Sequence, residues 1–347
     1  MGETRNITLG MIAEACHVST MTVSRALRED SPVRPETRDL VRRTAERLGY
    51  IRSARQGRPL LASSQRRQVQ LILGSSGGDL SYFHLRLLTA LDKELSSHGF
   101  ECTIRCADGE WESFMRLLER VKRDPSSAVI MGIFLPEQLQ TLLGAAAGAV
   151  LVDSRVPESF NASCSGFSFD DRLAGYLGAE HLRQQGRKRI LVLAGPEGNS
   201  FSDEFRRGAD EALGCGGGNA EAALRPRSGF SASEAAAAIR ESLDRGVQFD
   251  AVLTTDEMAT GVYRVLHERK IRIPEEIAIC GCDDLPVGEQ LYPELTTISL
   301  DCRELAACVA DHLVSGRDRN LFLKTKLPPK LRIRSSSGMK SEKNSAE

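Results

Sequence analysis

Residues 8–27 constrain the chain more than any other stretch. They read as two short helices joined by a tight turn. Thr8 is a candidate N-cap, and Leu9, Ile12 and Ala13 form the apolar face of the first helix. Cys16-His17-Val18 is the turn. Ser19 caps the second helix, with Val23, Ala26 and Leu27 pointing inward. Thr20, Met21, Thr22, Ser24 and Arg25 are left outward or at the helix start. Short side chains there let a helix enter the major groove of DNA, and a long donor such as Arg25 reaches guanine O6 and N7.

A third helix should follow. Pro35 suits its first position, Leu40, Val41, Ala45 and Leu48 recur at helical spacing, and Gly49 ends it. Residues 1–67 hold 13 Arg and no Lys against 7 Asp and Glu, a balance of +6. The whole chain is −1, so the remainder carries −7. A near-neutral total thus hides a basic head on an acidic body, and a basic head tracks phosphate.

At 347 residues the chain exceeds one ordinary domain. No run approaches the roughly 18 apolar residues of a membrane span, so no membrane partner is expected. The polar start lacks the apolar core of a signal peptide, which points to a cytoplasmic protein. The nine cysteines are scattered, and the close pairs Cys102/Cys106 and Cys280/Cys282 have no histidine within three residues. They read as small buried side chains in strands, with no metal and no cofactor expected.

From Gln68 onward short apolar runs alternate with amphipathic segments. Val69–Leu73, Cys102–Arg105, Ala128–Ile133 and Ala149–Val152 read as strands, with helices over Leu85–Ser97, Trp111–Lys122 and Pro136–Leu143. After Phe167-Ser168-Phe169 the pattern restarts. Strands fall at Arg189–Leu193, Ala251–Leu253 and Ile277–Cys280, and helices at Asp171–Gln184, Asp203–Leu213, Ser233–Leu243 and Asp256–Glu268. Such alternation means parallel sheets with helices on both faces. Two units imply two Rossmann-like lobes with a ligand cleft at the carboxyl ends of their strands.

No catalytic constellation stands out, and an enzyme is not expected. The cluster 214–218 follows a helix, whereas a phosphate loop follows a strand. The cluster 74–78 follows a strand but lacks a lysine and a helix-opening glycine. The histidines of the body are isolated.

The chain resembles the lactose/galactose repressor (LacI/GalR) family of bacterial transcription regulators over about residues 6–334. In the head the resemblance rests on Thr8-Leu9, Ile12-Ala13, Val18-Ser19, Thr22-Val23-Ser24-Arg25, Thr37-Arg38 and Leu48-Gly49-Tyr50-Ile51. In the body it rests on Asp256-Glu257-Met258-Ala259, Ile273-Pro274-Glu275, Cys282-Asp283-Asp284 and Pro293-Glu294-Leu295-Thr296-Thr297-Ile298. The resemblance implies an all-α helix-turn-helix domain over 1–50 and a hinge over 51–67. An α/β periplasmic-binding-protein-like domain of two Rossmann-like lobes would cover 68–334. The first lobe would take about 68–167 plus 301–322, and the second about 168–300 plus 323–334. Residues 335–347, rich in Ser, Lys and Glu, read as a disordered tail.

The implied partners are double-stranded DNA with a near-palindromic operator, a carbohydrate-like effector and a second copy of the chain. By position, Thr20, Met21 and Arg25 would face base edges. Thr8, Ser19, Thr22, Ser24, Thr37 and Tyr50 would hold phosphates. In the cleft, Asp283 would grip ligand hydroxyls or amines. Tyr82, Phe83 and Phe230 would supply aromatic walls, with Asp153, Arg155 and Asp203 also facing the ligand.

The chain departs from the family pattern in places. His17 stands where the turn usually has glycine, and so must accept an unusual backbone angle or shift the turn. Arg34 replaces a serine cap. Pro59 falls where a minor-groove leucine is expected, and Gly57 is a poor helix former. Either Leu60 or Leu61 wedges after a register shift, or the hinge is not helical and Arg52, Arg55 and Arg58 lie in the groove as an extended arm. Asp203 replaces an arginine five residues before Gly208, and Thr255-Asp256 replaces an Asn-Asp pair. Asp203 with Asp283 would make the cleft acidic, suiting a polyol or a cation.

The leading expectation is a repressor controlled by a sugar-like effector between the lobes. A rival makes the lobes a ligand-independent dimerisation scaffold. A third makes them a solute-binding or catalytic module with an accessory DNA-binding head.

Overall fold

The structure is a computed structural model that describes residues 9–19, 22–23, 26, 35–48, 50–52, 59–61, 67–75, 81–107, 110–124, 126–146, 148–160, 163–214, 223–224, 229–315 and 322–338. The chain divides into two compact units, Met1–Arg67 and Gln68–Glu347.

In the first unit, α1 spans Leu9–Cys16 and α2 spans Pro35–Leu48, with helical residues at Thr22, Val23 and Ala26 between them. Ile12, Ala13, Cys16, Val23, Ala26, Val41 and Ala45 form one small core. Cys16 therefore closes α1 and is buried, not part of the turn, while Leu40 is 46% exposed and lies outside the core. His17 takes φ 53°, the left-handed angle that glycine adopts without cost. The turn is thus kept and His17 bears its strain. Strands β1 (Tyr50–Arg52) and β2 (Pro59–Leu61) pair antiparallel, with Tyr50 opposite Leu61 and Arg52 opposite Pro59. Leu60 and Leu61 are in a strand, so the described hinge residues are extended and not helical, while Arg55 and Arg58 lie outside the described residues.

The second unit holds two six-stranded sheets. The first contains β3 (Arg67–Gly74), β4 (Phe100–Ala107), β5 (Ser127–Gly132), β6 (Val150–Val152), β7 (Ser165–Phe169) and β13 (Lys324–Leu327), in the order β13-β7-β6-β5-β3-β4. The second contains β8 (Ile190–Val192), β9 (Ala223–Leu224), β10 (Ala251–Leu253), β11 (Ala278–Cys282), β12 (Thr296–Ser299) and β14 (Lys330–Arg332), in the order β14-β12-β11-β10-β8-β9. Its pairs are parallel except β12 with β14.

Alternate strand residues face opposite layers, which explains the unbroken apolar runs. Val69, Leu71 and Leu73 join one core cluster and Ile72 another. Likewise Ala251 and Leu253 face one side of the second sheet and Val252 the other.

Helices α3 (Tyr82–Ser97), α4 (Trp111–Arg123), α5 (Pro136–Ala145), α6 (Asp171–Gln184), α7 (Ser200–Leu213), α8 (Ala232–Asp244), α9 (Asp256–Glu268), α10 (Val287–Gln290) and α11 (Cys302–Ser315) cover the sheets. Helices α6 and α7 cross closely: a Cβ on Gly175 would meet the Phe205 carbonyl oxygen, and one on Gly208 that of Arg172.

The chain crosses between lobes after β7, after β12 and after β13. The third crossing departs from expectation, because β13 pairs with β7 and so belongs to the first lobe. The crossing falls at Pro328-Pro329, not near residue 323. The expected disordered tail also begins too early. Ser336 Oγ donates to the Ile279 carbonyl at 2.7 Å and accepts from the Thr296 amide at 2.8 Å, while Ser337 bonds His181 Nε2 at 2.8 Å. Residues 335–338 are therefore part of the second lobe, and 339–347 lie outside the described residues.

Cys280 and Cys282 are buried in β11, whereas Cys106 in β4 is exposed. Among the described residues no helix is long and apolar enough to cross a membrane.

Candidate functional site

In the head, Ser19 starts the second helix as its sequence position demands. Its Oγ accepts from the Thr22 amide at 3.0 Å and lies 2.8 Å from Thr22 Oγ1. This satisfies an orphan helix-start donor and fixes the two hydroxyls side by side on the exposed end. Thr37 is half-buried on α2. Thr8, Thr20, Met21, Ser24, Arg25, Arg55 and Arg58 lie outside the described residues, as do the side chains of Tyr50 and Arg52.

In the second unit, a cavity opens between the lobes. Its wall is built from residues just past the carboxyl ends of strands. Gly132 and Ile133 follow β5, Asp153 and Ser154 follow β6, and Asp171 follows β7. From the second sheet come Asn199, Ser200 and Phe201 after β8, Phe230 after β9, Thr255 and Glu257 after β10, Asp283 after β11 and Leu300 after β12. Ser81, Phe83 and His84 close the first-lobe side from the start of α3. In each sheet the order reverses beside the strand that starts it, β3 or β8, and this is where ligands enter parallel sheets.

Four of the seven anticipated cleft residues line this cavity: Phe83, Asp153, Phe230 and Asp283. Three do not. Tyr82 is 66% exposed, and it is its backbone amide that meets Glu257 Oε2, at 3.4 Å. Arg155 and Asp203 line a neighbouring groove instead. Arg155 pairs with Glu158 at 3.6 Å; Asp203 accepts from the Gly198 amide and lies 3.7 Å from Arg206. The acidity expected from Asp203 and Asp283 thus comes from Asp283 together with Asp153, Asp171 and Glu257.

The sequence signals for the missed residues are helix starts. Ser81, Asn199 and Thr255 are N-caps, accepting from the amides of His84, Ser202 and Met258. Asp171 and Glu257 occupy first turns, where helix dipoles favour carboxylates.

Asp153 and Asp283 turn into the cavity at φ 55° and 111°, and Asp284 follows at φ 53°. Aspartate tolerates such angles better than most residues, and clustered outliers of this kind mark binding sites. Burial pushes the Asp283 carboxyl well above the usual carboxylate range, and the charges of Asp256, Asp153, Glu257 and Asp171 push the same way. Burial does the same to Asp171, with Asp153 adding to it and Lys326 opposing it.

Asp256 stands behind the wall. It is fully buried, accepting from Thr297 Oγ1 at 2.6 Å and the Leu285 amide at 2.7 Å. It therefore fixes the loop carrying Asp283 while Thr255 faces the cavity. On the first-lobe side, His84 Nε2 lies 3.6 Å from Asp153 Oδ2 and its Nδ1 lies 2.7 Å from Ser81 Oγ.

Residues 8–53 match the family described as bacterial regulatory proteins, lacI family, and residues 179–337 match a periplasmic binding protein-like domain. The chain belongs to the LacI/GalR family. Relatives of this LacI/GalR protein include the transcriptional regulator CelR of Thermobifida fusca, 27% identical over 325 residues, which span 90% of this chain and 94% of CelR. A solved CelR–cellobiose complex superposes with a TM-score of 0.69 at 26% identity, covering 95% of this chain and 99% of that one. The lac repressor dimer bound to operator and an anti-inducer shares the fold, with a TM-score of 0.67 at 24% identity over 96% and 100% of the two chains. These relatives are transcriptional regulators, and the lac repressor dimer is held on its operator.

Proposed function

We propose that this LacI/GalR chain is a cytoplasmic, non-enzymatic repressor that grips a near-palindromic operator as a dimer and answers to a small sugar-like effector between its lobes. One observation carries the reading: a helix-turn-helix head precedes a second unit whose two sheets aim their carboxyl ends into one cavity. Such a cavity closes around a ligand by moving one lobe on the other. Contacts made only in one lobe arrangement give the ligand a preference for it, and that preference shifts DNA affinity. Thr20, Met21 and Arg25 would read bases, and Thr8, Ser19, Thr22, Ser24, Thr37 and Tyr50 would meet phosphates. Arg52, Arg55 and Arg58 would add charge beside the groove.

The test is footprinting on the DNA flanking the protein's own coding region, followed by titration of the protected site with sugars. Protection of an inverted repeat, altered by at least one sugar, is expected. No protected repeat would sink the regulator reading. Protection indifferent to every ligand would favour lobes that serve only to dimerise.

A further inference from the structure

We propose that the effector is a cation, specifically a ring-bearing hydroxylated amine of the amino-sugar type, whose ammonium sits against Asp283. The inference rests on the reading of the cavity as an effector site.

Asp153, Asp171, Glu257 and Asp283 all line the cavity, and its described lining contains no lysine or arginine. His84 is the one basic side chain there, and it faces Asp153. Asp283 is 8% exposed, and among the described residues its carboxylate has neither a hydrogen-bond nor an ion-pair partner. Its oxygens open on the cavity and are not tied up within the protein, so a ligand's donors can reach them.

The nearby cations are occupied elsewhere. Arg86 donates to the main-chain carbonyls of Asp283 and Asp284, Arg206 to that of Gly195, and Arg332 and Arg334 pair with the Asp284 carboxylate. Lys326 lies in the neighbouring groove. None of them neutralises Asp283.

Three features narrow the ligand. Among the described residues no three ligating side chains converge to hold a metal ion, so the positive charge belongs to an organic group. Phe83 stands in the first-lobe wall, and Phe201 and Phe230 in the second, their centroids 6.2 Å apart. These are apolar faces for a ring, and they also favour a nearby cation. The helix starts at Ser81, Asn199 and Thr255 are capped by their own side chains, so they offer no open anion site. Their dipoles instead ease the carboxylates' mutual repulsion while the cavity is empty. A neutral sugar offers these carboxyls hydrogen bonds but no opposite charge; an ammonium gives three donors and the charge together, which lets a buried carboxyl ionise.

The test is calorimetric titration of the full-length protein with glucosamine, galactosamine and mannosamine. Each is compared with its N-acetyl form and with its parent neutral sugar. At least one free amine should bind about tenfold or more tightly than both partners. Asp283→Asn should remove that preference, with Asp171→Asn as a second variant and melting curves confirming that each folds. Asparagine suits the positive φ at position 283. Equal or tighter binding of the neutral compounds would overturn the cationic proposal and leave the effector reading intact. No binding by any member would overturn the amino-sugar proposal, while the effector reading stands or falls on the footprint titration above.

Discussion

Arg86 and Asp284 stand on opposite lobes, and the guanidinium Nη1 of the one lies 2.6 Å from the main-chain carbonyl oxygen of the other. The same nitrogen reaches the Asp283 carbonyl at 3.1 Å. Both carbonyls sit on a backbone bent to positive φ, while Arg332 and Arg334 hold the Asp284 carboxylate at 3.0 and 2.9 Å. A first-lobe helix is thereby tied to the loop that carries the buried cavity carboxylate. Arg86→Met keeps the length of the stem and removes the donors. It should lower the unfolding free energy by about 1–2 kcal/mol and weaken effector binding. Urea denaturation and titration together check this; unchanged binding would show that the tie does not shape the cavity.

Stability should depend on pH through Asp256. Burial pushes this carboxyl up to about 7. Between its ordinary value near 4 and that point, the native protein keeps a proton that the unfolded chain has released. Stability therefore falls as pH rises from about 4 to about 7, then levels. Asp256→Asn can still accept from the Leu285 amide and, with the Thr297 hydroxyl turned, donate to it. The variant should show a shallower fall, not a flat line, because Asp171 and Asp283 are pushed up as well. Denaturation midpoints from pH ~5 to ~8 measure both slopes; identical slopes would contradict the assignment.

Much of this was legible in the sequence. Central strands showed as apolar runs because both faces are covered, as at Val129–Met131, shared between two cores. Of the edge strands, β4 showed as well, but β13 and β14 did not. Lys324–Leu327 and Lys330–Arg332 carry exposed Lys or Arg at every other position because water takes one side, and they pass for loop. That concealment also misplaced the third crossing. In the cavity, Asp283 and Phe230 were found through the family pattern. Asp171, Asn199 and Glu257 escaped it, because their helix-starting positions explain them equally well without a ligand.

Gly175 and Gly208 permit the α6–α7 crossing, where a methyl group would strike a backbone carbonyl. Backbone cannot swing aside as a side chain can. Gly208→Ala should cost about 3 kcal/mol or more. A melting temperature equal to that of the parent protein would rule out so close a crossing in solution.

Ser19→Ala removes the acceptor for the Thr22 amide. It should destabilise the head by about 1 kcal/mol and weaken DNA binding at every sequence alike. Arg25→Ala should differ in kind, costing about 1–3 kcal/mol on the operator and relaxing one base pair. Competition between operator and random DNA separates the two; equal losses for Arg25→Ala would remove its base-reading role.

The pairing of β13 with β7 has a consequence for how the protein is born. As the ribosome works from one end to the other, β13 emerges only after every strand of the second lobe except β14. Helix α11, which packs on α3, also arrives late. Through that interval the nascent first lobe offers the open edge of β7 to whatever strand comes near. Its native partner must compete with neighbouring chains and holding factors, so the yield of folded protein should depend on how quickly the last strands are translated.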